Sequence, residues 1–147
     1  MPAREWLKRG RAAQSPIDSF TDLWRGFNNL YGPTRGPTEL ARIRAFLAAR
    51  VSSADAAPIL ANHPRQVAYL LSQPVIDMRG NGRDTAAAIA NFAASHDPQV
   101  KLCELFAIIY QVRCNLEHGQ KSPTVDRDVR LCESSAPIVA AVVAHSV

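Results

Sequence analysis

Three cysteines in 147 residues, Cys103, Cys114 and Cys132, make an odd number and include no C-x-x-C pair. That argues against a disulfide framework and against a structural zinc site built on paired thiols, so all three are read as small residues packed with the thiol free. Neither H-E-x-x-H nor a clustered acidic metal motif occurs, and the chain is expected to use no metal and no cofactor. No window approaches eighteen unbroken apolar residues, and the opening MPAREWLKRGRAAQ lacks the apolar stretch and cleavage site of a signal peptide. The expectation is a cytoplasmic protein with no membrane partner. Acidic residues are the minority, 13 against 17 Lys and Arg, which leaves a formal charge of +4 and a pI near 9.3. That balance is compatible with nucleic acid without demanding it.

Runs of alternating β-branched residues are also missing, and nearly every segment carries apolar residues at helical steps of three and four. The expected fold is all-α, a compact bundle of about five to seven helices in one domain over 1–147, since the length is that of an ordinary domain and 47% apolar residues suffice for a core. Pro16 opens a helix bearing Phe20, Leu23, Trp24, Phe27, Leu30 and Tyr31, and GPTRGP at 32–37 ends it. Thr38 caps the next helix, to about Val51, and short helices follow over Ser53–Ala61 and 65–73. PVIDMRGNGRD, 74–84, reads as an exposed and mobile loop. Asp84 starts a helix to about Ser95, Asp97-Pro98 starts a long one, and a last helix runs from about Thr124 toward Ala144, kinked or split at Pro137.

The long helix contains YQVRCNLEHGQK, residues 110–121, and an anomaly. At roughly 100° per residue, Arg113 projects within about 20° of Leu102 and Phe106, near the middle of an apolar stripe. Arginine cannot shed its proton, so an inward Arg113 needs a carboxylate, a set of carbonyls or an anionic ligand. Asp84, Glu104 and Asp128 are the candidate structural partners, and Asn115 and Glu117 are expected to point away from the core. His118 would lie about 140° from Arg113 on an unbroken helix, but Gly119 is a usual helix terminator and lets the imidazole return toward it.

Arg113, four residues, then His118, followed by Gly119 and Lys121, resembles the R-x(4-6)-H signature of the HEPN superfamily (higher eukaryotes and prokaryotes nucleotide-binding). FTDLWRGFNNLYG, 20–32, is similar to the F-x-x-L-W-x-x-F-N-x-L-Y helix of a HEPN subgroup, and Arg127-Asp128 with Leu131 resembles that subgroup's R-D-x-x-L opening of the last helix. The three segments stand in the expected order over 20–131. At Cys114 the chain departs from the pattern, since many catalytic members carry a polar residue there, often asparagine; here the asparagine is Asn115, one position on.

The resemblance implies a small helical bundle that forms a homodimer, with the arginine and histidine of both subunits facing one cleft. It implies a metal-independent endoribonuclease acting on RNA, as in toxin–antitoxin, phage-defence and RNA-processing systems, with an antitoxin or other protein as a partner. The other implied role is a non-catalytic module that dimerises and binds nucleotide, RNA or a partner protein. Arg113 and His118 are the candidate catalytic residues, and Asn115, Lys121 and Tyr110 the candidate substrate contacts.

The chemistry fits those residue types. RNA carries its own nucleophile, the 2′-hydroxyl, so cleavage needs a base for that proton, an acid for the 5′-oxygen and positive charge on the phosphate. A histidine titrating near neutrality suits the first two tasks and an arginine fork the third. The bland readings are a structural Arg113, a His118 placed only by the helix dipole, a solvated Lys121 and a Tyr110 packed in the core. Arg4, Lys8, Arg9 and Arg11 read as a solvated face, Trp24 and Phe27 as core, and His63, His96 and His145 are assigned no role.

Overall fold

The computed structural model describes residues 1–118 and 126–147. Among them lie eight α-helices: α1 (Ala3–Ala12), α2 (Pro16–Tyr31), α3 (Glu39–Arg50), α4 (Ser53–Ala61), α5 (Pro64–Leu71), α6 (Ala86–Ala94), α7 (Pro98–Glu117) and α8 (Asp126–Ser146). The architecture is the expected all-α bundle, with one helix more than the upper expectation. The short helices expected between α3 and α7 are all present, and local signals separate them. Ser52 caps α4 in a reciprocal box with Asp55, and Pro64 occupies the first turn of α5.

Three helices carry the core. The α2 stripe Phe20, Leu23, Trp24, Phe27 and Tyr31 is buried, as are Leu102, Leu105, Phe106, Ile109 and Val112 of α7 and Leu131, Ile138, Val139 and Val142 of α8. The rings of Phe27 and Phe106 meet at 5.0 Å, and Trp24 packs among Phe20, Phe27, Tyr31 and Tyr110. Each large side chain removed from water contributes about 1.5–3 kcal/mol, which is why these stripes, more than helix propensity, fix the packing. α1 lies against α2 at close range: a Cβ on Gly10 would stand 2.5 Å from Cγ of Leu23. Outside this contact, the half-buried Trp6 has the guanidinium groups of Arg9 and Arg25 over its ring.

The terminators behave as their chemistry demands, with one exception. Thr38 accepts from the Ala41 N–H to cap α3, and Asp97 accepts from the Gln99 N–H to cap α7. Pro137 neither splits nor ends α8, which runs unbroken from Asp126 to Ser146. A mid-helix proline forfeits one backbone bond and costs about 3 kcal/mol, but Ala136, Ile138, Val139 and Ala140 around it are all buried, and that packing offsets the loss.

The stretch 74–84 is exposed, as expected, except at Val75 and Asp77, and it is braced as a hairpin. Ile76 and Asp84 form an antiparallel bridge, and the Asp77 N–H donates to the Arg83 carbonyl at 2.9 Å. The carboxylate of Asp77, 2% exposed, accepts from the backbone and guanidinium of Arg79 and from the amide of Asn81. Gly80 and Gly82 take φ of +73° and +77°, left-handed values that other residues rarely adopt, so the tip turns where these two glycines stand. Its base is tied to α7 through Asn115 and to α6 through Thr85, whose hydroxyl accepts from the Val75 N–H.

Among the described residues no helix is long and apolar enough to cross a membrane.

Candidate functional site

The last turn of α7, the start of α3 and the 74–84 hairpin enclose an open cleft of about 570 Å³. Arg113 and His118 both line it, together with Tyr110, Glu39, Glu117, Arg44, Arg79 and Arg83. His118 is the residue that closes α7: its own N–H donates to the Cys114 carbonyl, and its side chain is exposed with no hydrogen-bond partner among the described residues. His118 lines the cleft on the same helical face as Ala107, Gln111 and Cys114, at steps of three and four along α7. Gly119 and Lys121 lie outside the described residues.

Arg113 is 23% exposed and shared between two carboxylates, neither of them an expected partner. Its Nη1 donates to Oε1 of Glu39 at 3.4 Å and its Nη2 to Oε1 of Glu117 at 2.9 Å. The three acids considered from sequence are otherwise placed. Glu104 holds Arg44 at 3.1 Å, Asp84 accepts from the Ala86 N–H at the start of α6, and Asp128 belongs to α8. Glu117 was readable as the i+4 neighbour on the same helix, whereas Glu39 is 74 positions away and only the tertiary fold delivers it.

The two carboxylates differ in how they are held. Glu39, in the first turn of α3, also accepts from the hydroxyl of Tyr31, the fully buried residue that ends α2, and from the hydroxyl of Tyr110 at 3.3 Å. Burial raises the pKa of both phenols, with their contact to Glu39 adding to it, so both remain O–H donors at neutral pH. Glu117 is 58% exposed and makes no other hydrogen bond among the described residues. Tyr110, proposed from sequence as either a core residue or a substrate contact, is half-buried: it packs on Trp24 and turns its hydroxyl into the cleft. Cys114 is also half-buried, and burial pushes its thiol up, away from the reactive thiolate.

Asn115 is a correction. Expected to point away from the core, it is 5% exposed and spends its amide on the hairpin. Nδ2 donates to the Ile76 carbonyl at 2.9 Å, while Oδ1 accepts from the Met78 N–H at 3.1 Å and from Gln111 at 3.0 Å. The side chain two residues beyond Arg113 thus holds the opposite wall of the cleft in place. Two positions that sequence reasoning passed over, Arg79 and Arg83, enter the cleft on that wall. Arg79 is committed to Asp77 at 2.8 Å, and the guanidinium of Arg83 has no ion pair among the described residues. The residues of the last-helix motif are structural anchors: Arg127 donates to the carbonyls of Gln73 and Pro74 at the hairpin's base, and Leu131 is buried.

Four arginines and five carboxylates line the cleft, so its charges are nearly balanced in the single chain. Among the described residues no three His, Cys, Asp or Glu side chains gather as a set of metal ligands. No family model, curated protein or solved structure matches this chain.

Proposed function

We propose that this protein is a HEPN-like endoribonuclease, active as a homodimer without a metal ion, of the kind that serves as a toxin or phage-defence effector. The observation that carries the reading is the convergence on one open cleft of Arg113 and His118, whose imidazole has no partner among the described residues. In the proposed reaction the 2′-oxygen attacks the adjacent phosphorus, the bond from phosphorus to the 5′-oxygen breaks, and a 2′,3′-cyclic phosphate forms. The imidazole of one His118 takes the 2′-proton, and a protonated His118 from the second subunit gives a proton to the departing 5′-oxygen. Arg113 holds the non-bridging oxygens as they gain negative charge.

Incubation with total RNA in the presence of EDTA tests this directly, with cleavage expected to persist. Sedimentation should give a dimer at micromolar concentration, because one histidine per site cannot be base and acid in the same step. A monomer that cuts would overturn the shared site.

The second reading, a non-catalytic module of the same architecture that dimerises and binds nucleotide, RNA or a partner protein, is favoured by one observation. Arg113 already lies between two carboxylates. An inert but dimeric protein in the same assays would decide for it.

A further inference from the structure

We infer that the two carboxylates on Arg113 have opposite roles: Glu39 is a positioning residue that aims the guanidinium, and Glu117 occupies the place of the substrate phosphate until RNA displaces it. The inference rests on the endoribonuclease reading and assigns to that site two residues which the R-x(4)-H pattern does not include.

The asymmetry is in the hydrogen bonding. Glu39 is fixed from three sides, by the hydroxyls of Tyr31 and Tyr110 and by Arg113, and its side chain is 22% exposed. Moving it would strand a buried phenol and undo the junction of α2, α3 and α7. Glu117 is anchored by Arg113 alone among the described residues, and it is the last residue of its helix. An exposed pair at i,i+4 is among the weakest of ion pairs, and a side chain with this much solvent around it can rotate away. Yet its contact is the better of the two, 2.9 Å against 3.4 Å, and it uses the terminal nitrogen that Glu39 leaves open.

A carboxylate and a phosphodiester present the same feature to a guanidinium, a pair of oxygens sharing one negative charge. An RNA phosphate that displaces Glu117 therefore inherits a fork already aimed by Glu39, and the displaced carboxylate goes to water at small cost. The exchange leaves the charge balance of the cleft unchanged, since one phosphodiester takes the place of one carboxylate.

The test compares Glu117→Gln with Glu39→Gln, using a labelled single-stranded oligoribonucleotide of mixed sequence in EDTA and reading KM, kcat and thermal midpoint. Removing an internal competitor should lower KM about two- to fivefold in E117Q with kcat and midpoint little changed, the range set by the strength of exposed pairs. Releasing the aim of Arg113 should cut kcat about 10- to 100-fold in E39Q. If E39Q does not fold, Tyr110→Phe, which removes one of the donors to Glu39 and keeps its charge, should lower kcat in the same direction by less. A wild type that cuts RNA while E117Q and E39Q (or Y110F) shift the same parameter in the same sense would overturn the inference and leave the endoribonuclease reading standing. Should no form, E117Q included, bind or cut the oligonucleotide, that reading fails and this inference with it.

Discussion

Asn115 donates to the carbonyl of Ile76, 39 positions earlier, at 2.9 Å, and so ties the helix that carries Arg113 to the hairpin that forms the facing wall. The amide is buried and fully used, by Ile76, Met78 and Gln111. Asn115→Ala should accordingly act on stability: leaving the Ile76 carbonyl and the Met78 N–H without partners costs about 1–3 kcal/mol. Urea denaturation measures it. A variant as stable as the parent but deficient in RNA binding would return Asn115 to the role of substrate contact.

Arg113→Ala should remove RNA cleavage while costing only about 1–2 kcal/mol of stability. Glu39 would keep the Tyr31 and Tyr110 hydroxyls, and Glu117 would face water, so neither acid is stranded. A loss of 3–5 kcal/mol in thermal or chemical melts, the size expected when a buried ion pair is broken, would make Arg113 a structural residue.

His118→Ala should slow cleavage by about 10²–10⁴, the usual share of one acid–base group, with dimerisation and RNA affinity close to normal. The products should end in a 2′,3′-cyclic phosphate and a 5′-hydroxyl, and a 2′-deoxy substitution at the cleaved nucleotide should stop the reaction. Products bearing 5′-phosphates would exclude attack by the 2′-oxygen.

The hairpin should respond to acid through Asp77. Its hydrogen bonds from the Arg79 side chain, then from the Arg79 N–H and from Asn81, hold its carboxyl well below the usual carboxylate range. A folded pKa below the unfolded one means a contribution to stability that is fully present above the unfolded value, near 3.9, and lost as pH falls from there through the folded value. Amide exchange at Asp77, Arg79 and Asn81 should therefore stay slow at pH 5 and accelerate only below about pH 4. Asp77→Asn should abolish that acid dependence; exchange that still accelerates in the same range would assign it to another group.

The helices were legible because their causes are local. Pro16, Thr38 and Asp97-Pro98 announce starts within a few residues of where they occur, the expected Ser53–Ala61 is the observed α4, and the stripes of α2, α7 and α8 recur at a period any short window reveals. Arg113 and His118 could be singled out for the same reason, since both stand on one helix and its end. What surrounds them could not. The hairpin's glycines and charges read as an exposed loop, and the residue that braces it is far along the chain. Glu39 looks in sequence like an ordinary acid in the first turn of a helix, and its meaning comes from two tyrosines on α2 and α7. Pro137 does not split its helix, because the buried neighbours on both sides offset the backbone bond it forfeits.

Trp6 and Trp24 are the two tryptophans of the chain, and the fold gives them opposite surroundings. Trp24 sits in a dry aromatic cluster beside Tyr110, with its indole N–H unpartnered, while Trp6 lies half-open beneath two guanidinium groups. Excited by ultraviolet light, the first will emit at short wavelength and the second further to the red. The chain thus carries two intrinsic optical probes, one touching the helix of Arg113 and the other reporting on the seam between α1 and α2. Events at the cleft and at the amino-terminal seam can be followed separately, without attaching a dye.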